Sequence, residues 1–381
     1  MIEIVNGASI TSKSPKRTST TLRSTYARGI RVRLEDGRLY NDWQMGLYGP
    51  IFGYAPDWWI KALRAATFSG PASSIPAEDE VRVANLLGIL YPDIESVRFM
   101  LNGSDPNAAA VKLARALTGR DKVLKQGYHG FASCFSDDDG DNKGHLQAEI
   151  DASPNLDFGD FEALKALDDC AAVIVELPAI MGDCYDDQLA RSFLHACADE
   201  AHSRGALFIL DEVVTGFRLA GGGAAEVYDL FGKVDLYCFG KALGNGYPVA
   251  CLAGKKDVMA PLAGVGVHFS ATFFGEPMGL AAAEATLHHL IVDKPWPYLY
   301  EMGDALATTW NGAELPWRIA GHPVRPHLIG PVEGFNEFRL AMFEQGHILF
   351  NYPWYMTTAH TEEDIDRLVE DAVEVWQMRG W

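Results

Sequence analysis

Three positions in this chain place a reactive group directly after an apolar run. Asp211 follows ALFIL (206–210), Lys241 follows YCFG (237–240), and Asn102-Gly103-Ser104 follows RFML (98–101). Short apolar runs of this kind read as fully buried strands, and in an open α/β sheet ligands sit beyond the carboxyl ends of the strands. A carboxylate, an amine and a helix start brought together there suit a ligand with a basic ring nitrogen, a carbonyl and a phosphate. The carboxylate would keep a pyridine nitrogen protonated, because a neighbouring opposite charge favours the charged form. A protonated ring then serves as an electron sink for a carbanion. The amine would form a Schiff base with an aldehyde once desolvation or a nearby cation lowers its pKa. The N–H groups after Gly103, with the Ser104 hydroxyl, would hold a phosphate at the positive end of a helix. Pro106 suits that first turn, where no N–H partner is needed. Taken singly, the same residues have plainer readings: a cap at Ser104, a turn at Asp211-Glu212, a surface lysine at 241.

Convergence of these groups requires strands that lie side by side. Apolar runs at 97–101, 171–175, 206–210, 235–239 and 249–253 predict such strands. Helical spacing predicts helices over 58–66, 78–90, 108–117, 189–203 and 277–290 between and around them. Strands alternating with helices give an α/β class with a mainly parallel sheet covered on both faces. Residues 30–40 alternate and turn at Asp36-Gly37, a hairpin pattern. Near the end, Thr361 with Asp364 three residues on predicts an N-cap, followed by an apolar stripe from Ile365 to Trp376. The Gly221–Gly223 run reads as a flexible turn, since three glycines alone make no dinucleotide fingerprint.

Composition narrows the function classes. The 381 residues carry 32 Lys+Arg against 51 Asp+Glu, a net charge of −19, which argues against nucleic-acid binding as the main role. The N-terminal stretch is locally basic (Lys13, Lys16, Arg17, Arg23, Arg28, Arg31, Arg33), so a polyanionic or macromolecular substrate stays open. Neither a membrane-spanning helix nor a secretory leader is expected. Six scattered cysteines without a C-x-x-C pair suit a reduced, cytoplasmic protein and indicate no metal site. The run DDDGDN (137–142) imitates a calcium loop. Its sixth position holds Asn142 and its twelfth Ala148, where such a loop needs Gly and Glu, so it reads as a solvated acidic loop.

Together, LDEVVTGFR (210–218), FGKALGNGYPV (239–249), TGRDK (118–122), YHG (128–130) and AHTEED (359–364) resemble the class III, fold type I pyridoxal-phosphate enzymes, closest to the glutamate semialdehyde aminomutase branch. The resemblance spans about residues 26–310 and the last 35. It implies a large domain with a mainly parallel, seven-stranded-type sheet and a reduced α+β small domain built from both termini. The expected division is 1–45 (arm and part of the small domain), 46–290 (large cofactor-binding domain) and 291–381 (small domain). It implies pyridoxal 5′-phosphate as cofactor, with Lys241 as Schiff-base lysine and proton shuttle and Asp211 as pyridinium partner. Val213 and Tyr128 match the residues on the two ring faces. Asn102, Gly103 and Ser104 match the phosphate turn, and His129 follows Tyr128 in the cofactor site. Thr272 in SATFFGEP (270–277) matches a threonine that reaches the neighbouring subunit's phosphate, which implies a homodimer with active sites at the interface. Tyr48 in GLYGP (46–50) and Arg17 in SPKR (14–17) are the candidate substrate residues.

Departures from the family pattern point to altered substrate recognition: Asp105 and Pro106 replace Glu and Ala, and the segments after His129 and over 318–345 are short. The reaction expected is transamination or amino-group mutation of a small-molecule substrate. Decarboxylation or racemisation on the same electron sink is the alternative. A non-catalytic binding protein is a third, disfavoured because both Lys241 and Asp211 are retained.

Overall fold

The computed structural model describes residues 4, 8, 9, 13, 20–70, 72–135, 143–182, 184–263, 266–350 and 353–379. Strands β1 (Ser24–Arg28), β2 (Arg31–Leu34), β3 (Leu39–Asp42), β4 (Ser96–Met100), β5 (Lys122–Gln126), β6 (Cys170–Glu176), β7 (Leu207–Asp211), β8 (Leu236–Phe239), β9 (Ala250–Gly254), β10 (Arg318–His322), β11 (Arg325–Ile329) and β12 (His347–Ile348) alternate with helices. Contacts divide the chain into two units. One holds 58–178 and 186–294, and the other holds 1–57, 179–185 and 295–381.

The first unit is built on a six-stranded sheet in the order β4-β9-β8-β7-β6-β5. Strands β5 to β8 are mutually parallel, and β9 runs antiparallel to β8 and β4. The apolar runs become strands because they are buried on both faces: every residue of β8 and β9 is buried. Strand β5 was absent from the sequence reading. Its KVLKQ sequence buries Lys125 and Gln126 as well as Val123 and Leu124, so no apolar run announces it.

The seventh lane of the expected sheet, beside β5, is occupied by residues 152–156. Val123 N–H donates to Ala152 O (2.9 Å), Lys125 N–H to Pro154 O (2.9 Å) and Leu156 N–H to Lys125 O (2.7 Å), with one parallel bridge, Lys125 to Asn155. Pro154 has no N–H to donate, so the segment does not extend into a strand. Helix Ser104–Thr118 covers the sheet with the small side chains Ala109, Ala110 and Ala114, which pack with Ala171, Ile174 and Leu236 in one buried cluster. Small residues on that face let the helix axis approach the strands closely.

The second unit carries the sheet β1-β2-β3-β12 and the hairpin β10–β11. The expected hairpin turns at Gly37, whose φ of 81° suits glycine. Ala179–Tyr185 groups with this unit through the β10 strand: His322 N–H donates to Ala179 O at 3.3 Å, and the Tyr185 ring stands edge-on to His322. The last helix, Glu362–Arg379, starts as the sequence predicts. Thr361 Oγ1 accepts from Asp364 N–H (3.2 Å), and Asp364 Oδ2 accepts from Thr361 N–H (3.1 Å), a reciprocal cap. Just after β3, Met45, Gly46, Leu47 and Tyr48 have φ of 47°, 60°, 62° and 75°, one turn of left-handed coil. Such a conformation costs each non-glycine residue about 1–2 kcal/mol.

Candidate active site

Strand β7 ends at Asp211, which is 1% exposed. An isolated carboxylate is not tolerated at such depth, so its neighbours define it. Asp211 Oδ2 accepts from Asn107 Nδ2 (2.7 Å) and pairs with His129 Nδ1 (2.7 Å), and Oδ1 accepts from Val213 N–H (2.9 Å). Facing a carboxylate, Nδ1 is the protonated nitrogen of His129. Asn107 Nδ2 also donates to His129 O (3.1 Å), which ties the helix, the 128–130 loop and the strand end together. His129 Nε2 and Asn107 Oδ1 are buried with no hydrogen-bond partner among the described residues. Buried polar atoms left this way cost about 1–3 kcal/mol and concentrate at functional sites.

Lys241 opens the short turn Lys241–Gly244 after β8, with φ of 41°. A lysine in left-handed backbone is strained, a state that persists where surrounding structure enforces it. Gly240 before it packs on the helix start: a Cβ there would lie 3.4 Å from Gly103 Cα and 3.5 Å from Val213 Cγ1. At Gly103 a Cβ would lie only 2.6 Å from Val213 Cγ1, and at Gly130 it would collide with Ser104 Oγ. Gly103, Ser104, Gly130, Val213 and Gly240 therefore form one close-packed cradle, with the Lys241 backbone at its rim and Asp211 two residues before Val213. Of the predicted residues, Gly103, Ser104, His129, Asp211, Val213 and the Lys241 backbone lie together at the carboxyl ends of β7 and β8.

The phosphate end differs from the expectation of a row of free amides. Ser104 N–H donates to Asn102 Oδ1 (3.0 Å), Asp105 N–H to Asn102 O (3.0 Å), and Pro106 has no N–H. Asp105 Oδ2 in turn accepts from Asn102 N–H (3.1 Å) and Asn102 Nδ2 (3.0 Å). Asn102 and Asp105 cap the helix themselves, which leaves the Ser104 hydroxyl and Gly103 N–H as the donors at this end. The ring-and-carbonyl end fits a pyridine aldehyde: a buried carboxylate, an amine, and glycines placed where no side chain has room. The phosphate end fits with fewer donors.

Tyr128 is 71% exposed and His129 2%, so the two neighbours play opposite roles: one ring faces outward and the other is locked on Asp211. Thr272 is exposed, on a turn ahead of helix Pro277–Asp293, whose start Glu276 caps by accepting Met278 N–H at 2.9 Å. Tyr48 belongs to the other unit and packs against Tyr355, ring centroids 4.1 Å apart and planes tilted by 35°. Arg17 and the acidic run 137–142 lie outside the described residues.

Two residues gain their roles only from the fold. Asn107 lies on the buried stripe with Ala110, Val111 and Ala114, and a lone amide on an otherwise apolar helix face is the signal that could have found it. Glu212 is fully buried, and burial pushes its carboxyl up to about 7. It accepts from Ala225 N–H (3.0 Å), Ala224 N–H (3.2 Å) and the Thr215 hydroxyl. The Gly221–Gly223 run is consequently not a flexible turn. It is buried, and a Cβ on Gly223 would lie 2.6 Å from both Glu212 carboxylate oxygens.

A family model described as "Aminotransferase class-III" matches residues 13–308. Glutamate-1-semialdehyde 2,1-aminomutase of Akkermansia muciniphila is 31% identical over 384 aligned positions, covering 90% of this chain and 89% of that protein. The protein of the same name from Syntrophobacter fumaroxidans is 35% identical, covering 78% of this chain and 71% of its own length. Among solved structures, the pyridoxal-phosphate internal aldimine form of the FumI protein of Sphingopyxis sp. MTA144 superposes with a TM-score of 0.82 at 23% identity, covering 93% of this chain and 88% of that one.

Proposed function

The chain belongs to the class-III aminotransferase family, and from that premise we propose that Lys241 and Asp211 act on opposite ends of one cofactor to move an amino group between an amine or amino acid and a carbonyl compound. The enzyme is a pyridoxal 5′-phosphate-dependent aminotransferase or aminomutase. Bound, that cofactor supplies an aldehyde for an amine and a protonated ring that takes up electron density from a neighbouring carbon.

The observation that carries the reading is the buried Asp211 carboxylate, clamped by His129 and Asn107 at the strand end beside the glycine cradle. Asp211 would face the ring nitrogen, and its two clamps, His129 and Asn107, hold its carboxylate aligned. Lys241 Nζ would hold the cofactor aldehyde, and as a free amine would be the base that accepts the proton from the substrate carbon. Val213 and Tyr128 flank the ring. The Ser104 hydroxyl and Gly103 N–H take the phosphate, with Asn102 supporting the turn. The relatives' name supports an amino-group shift within one molecule as readily as exchange between two.

The active form is a homodimer in which Thr272 serves the phosphate bound by the neighbouring subunit. Tyr48 is the proposed substrate-side residue, and Arg17 is the separate candidate for a substrate carboxylate. The expected division, a large domain over 46–290 with 1–45 and 291–381 in the small one, differs from the contact units, whose boundaries fall at 57/58 and 294/295 with 179–185 in the smaller unit. Six cysteines, all unpaired, support a cytoplasmic location. Among the described residues no helix is long and apolar enough to cross a membrane.

The test is spectral. Holoenzyme titrated with a panel of amines, amino acids and a vicinal amino aldehyde should lose its yellow absorbance with one class of donor, and a keto acid should restore it. Borohydride should fix the cofactor on Lys241. Carbon dioxide release with the amine retained would replace transamination by decarboxylation.

A further inference from the structure

The left-handed turn Met45–Tyr48 is held by one buried carboxylate. Asp42, 8% exposed, accepts from Gln44 N–H (2.9 Å) and Met45 N–H (3.1 Å) on Oδ1, and from Gly46 N–H (3.3 Å) and the Tyr54 hydroxyl (2.6 Å) on Oδ2. Three successive backbone donors on one side-chain group form a closed nest. The turn then continues with its own bonds, Tyr48 N–H to Gln44 O (3.2 Å) and Gly49 N–H to Met45 O (3.1 Å). Three of its four residues are not glycine, so the backbone conformation is opposed by their own Cβ atoms. Within the turn Met45 is buried, Leu47 and Tyr48 are half-buried and Gly46 is exposed, so the strained backbone sits between a packed end and an open one. What the turn does is deliver Tyr48 onto Tyr355, ring centroids 4.1 Å apart, where the Tyr355 hydroxyl accepts from the buried Arg325 Nε at 3.2 Å.

We propose that Asp42 is a positioning residue for substrate recognition: its carboxylate holds the left-handed turn that fixes Tyr48 against the Tyr355–Arg325 pair. This rests on the substrate-side reading of Tyr48 given above. Strain enforced by a dedicated buried acceptor is the pattern expected where geometry matters more than local stability. Loss of the acceptor would release Tyr48 and leave the bonds of Asp211 to His129 and Asn107 in place.

The experiment compares Asp42→Asn, Tyr48→Ala and Asp42→Asn/Leu47→Gly as holoenzymes. Asparagine keeps the size of the side chain but weakens a charge-assisted nest, and glycine at 47 lifts part of the backbone strain. Three quantities are read: amide hydrogen exchange over 44–49, the absorbance of bound cofactor, and the donor concentration that half-saturates the spectral half-reaction. Asp42→Asn should speed exchange over 44–49 and raise half-saturation by about tenfold, the scale of a small misplacement of a positioning group. The cofactor spectrum should not change, and the limiting rate should fall less than half-saturation rises. Leu47→Gly should recover part of the loss. If Tyr48→Ala raises half-saturation while Asp42→Asn leaves it alone despite faster exchange, the inference is overturned and the Tyr48 reading stands. If Tyr48→Ala itself changes nothing, the Tyr48 reading falls and takes this inference with it. Absence of rescue by Leu47→Gly, with slowed turnover and an altered cofactor spectrum, would mark Asp42 as a general structural residue and also refute the proposal.

Discussion

Gly103→Ala isolates the contact on which the cradle depends. Gly103 has φ of −62°, so alanine meets no backbone penalty there, and the effect is purely one of space. The new methyl would lie 2.6 Å from Val213 Cγ1 and 2.9 Å from Cγ2, well inside the carbon–carbon contact of about 3.5–4.0 Å. Both partners are fixed. Gly103 precedes a helix, and Val213 is held by its N–H bond to Asp211 at 2.9 Å. Overpacking of this kind costs about 1–3 kcal/mol. Relief by movement of Val213 would disturb Asp211 through that same bond, so cofactor affinity should fall as well. Val213→Ala removes both offending methyls. In the double variant the steric cost should largely vanish, giving a coupling of about 1–3 kcal/mol between the two sites. The assay is a double-mutant cycle, read by urea unfolding of the apoenzyme and by cofactor binding from absorbance. Additive effects, with no recovery in the double variant, would refute the claim that Val213 packs on the phosphate turn.

Glu212 gives a pH dependence. Its folded pKa of about 7 lies above the ordinary 4.5, so between those values the folded state binds the extra proton and stability falls as pH rises. The linkage slope is about 1.4 kcal/mol per pH unit, or about 3 kcal/mol across the window, and urea unfolding from pH 4.5 to 8 should show it and lose it in Glu212→Gln. Asn107→Leu removes a buried donor from Asp211 Oδ2 and should cost about 1.5–3 kcal/mol in urea unfolding, and unchanged unfolding would reject the clamp. Thr361→Ala deletes the cap of the last helix and should cost about 1 kcal/mol in thermal or urea unfolding.

Much of the large unit was readable in the sequence because its chemistry is local. The apolar runs at β4, β6, β7, β8 and β9, the reactive residues at their ends and the Thr361 cap all depend on neighbours a few residues apart. Strand β5 was not readable, since Lys125 and Gln126 hide it. Nor was the fate of the helix-start amides, which turns on whether Asn102 folds back on Ser104.

Fully buried strands and the polar residues directly after them are properties of the one-dimensional chain, so the α/β class and the place of Asp211 and Lys241 at strand ends were legible there, while their proposed pairing on one cofactor came from the family resemblance. Tertiary structure alone decided what surrounds them. Asp211 and Asn107 are 104 positions apart, and the Gly103–Val213 contact spans a similar distance. Such contacts are made by sheet register and helix packing, which no short stretch of sequence encodes. The same holds for Glu212, whose three donors arrive from the following turn and the start of a later helix. A carboxylate in the sequence is only a charge; the burial that sets its proton affinity exists only once the sheet has closed over it.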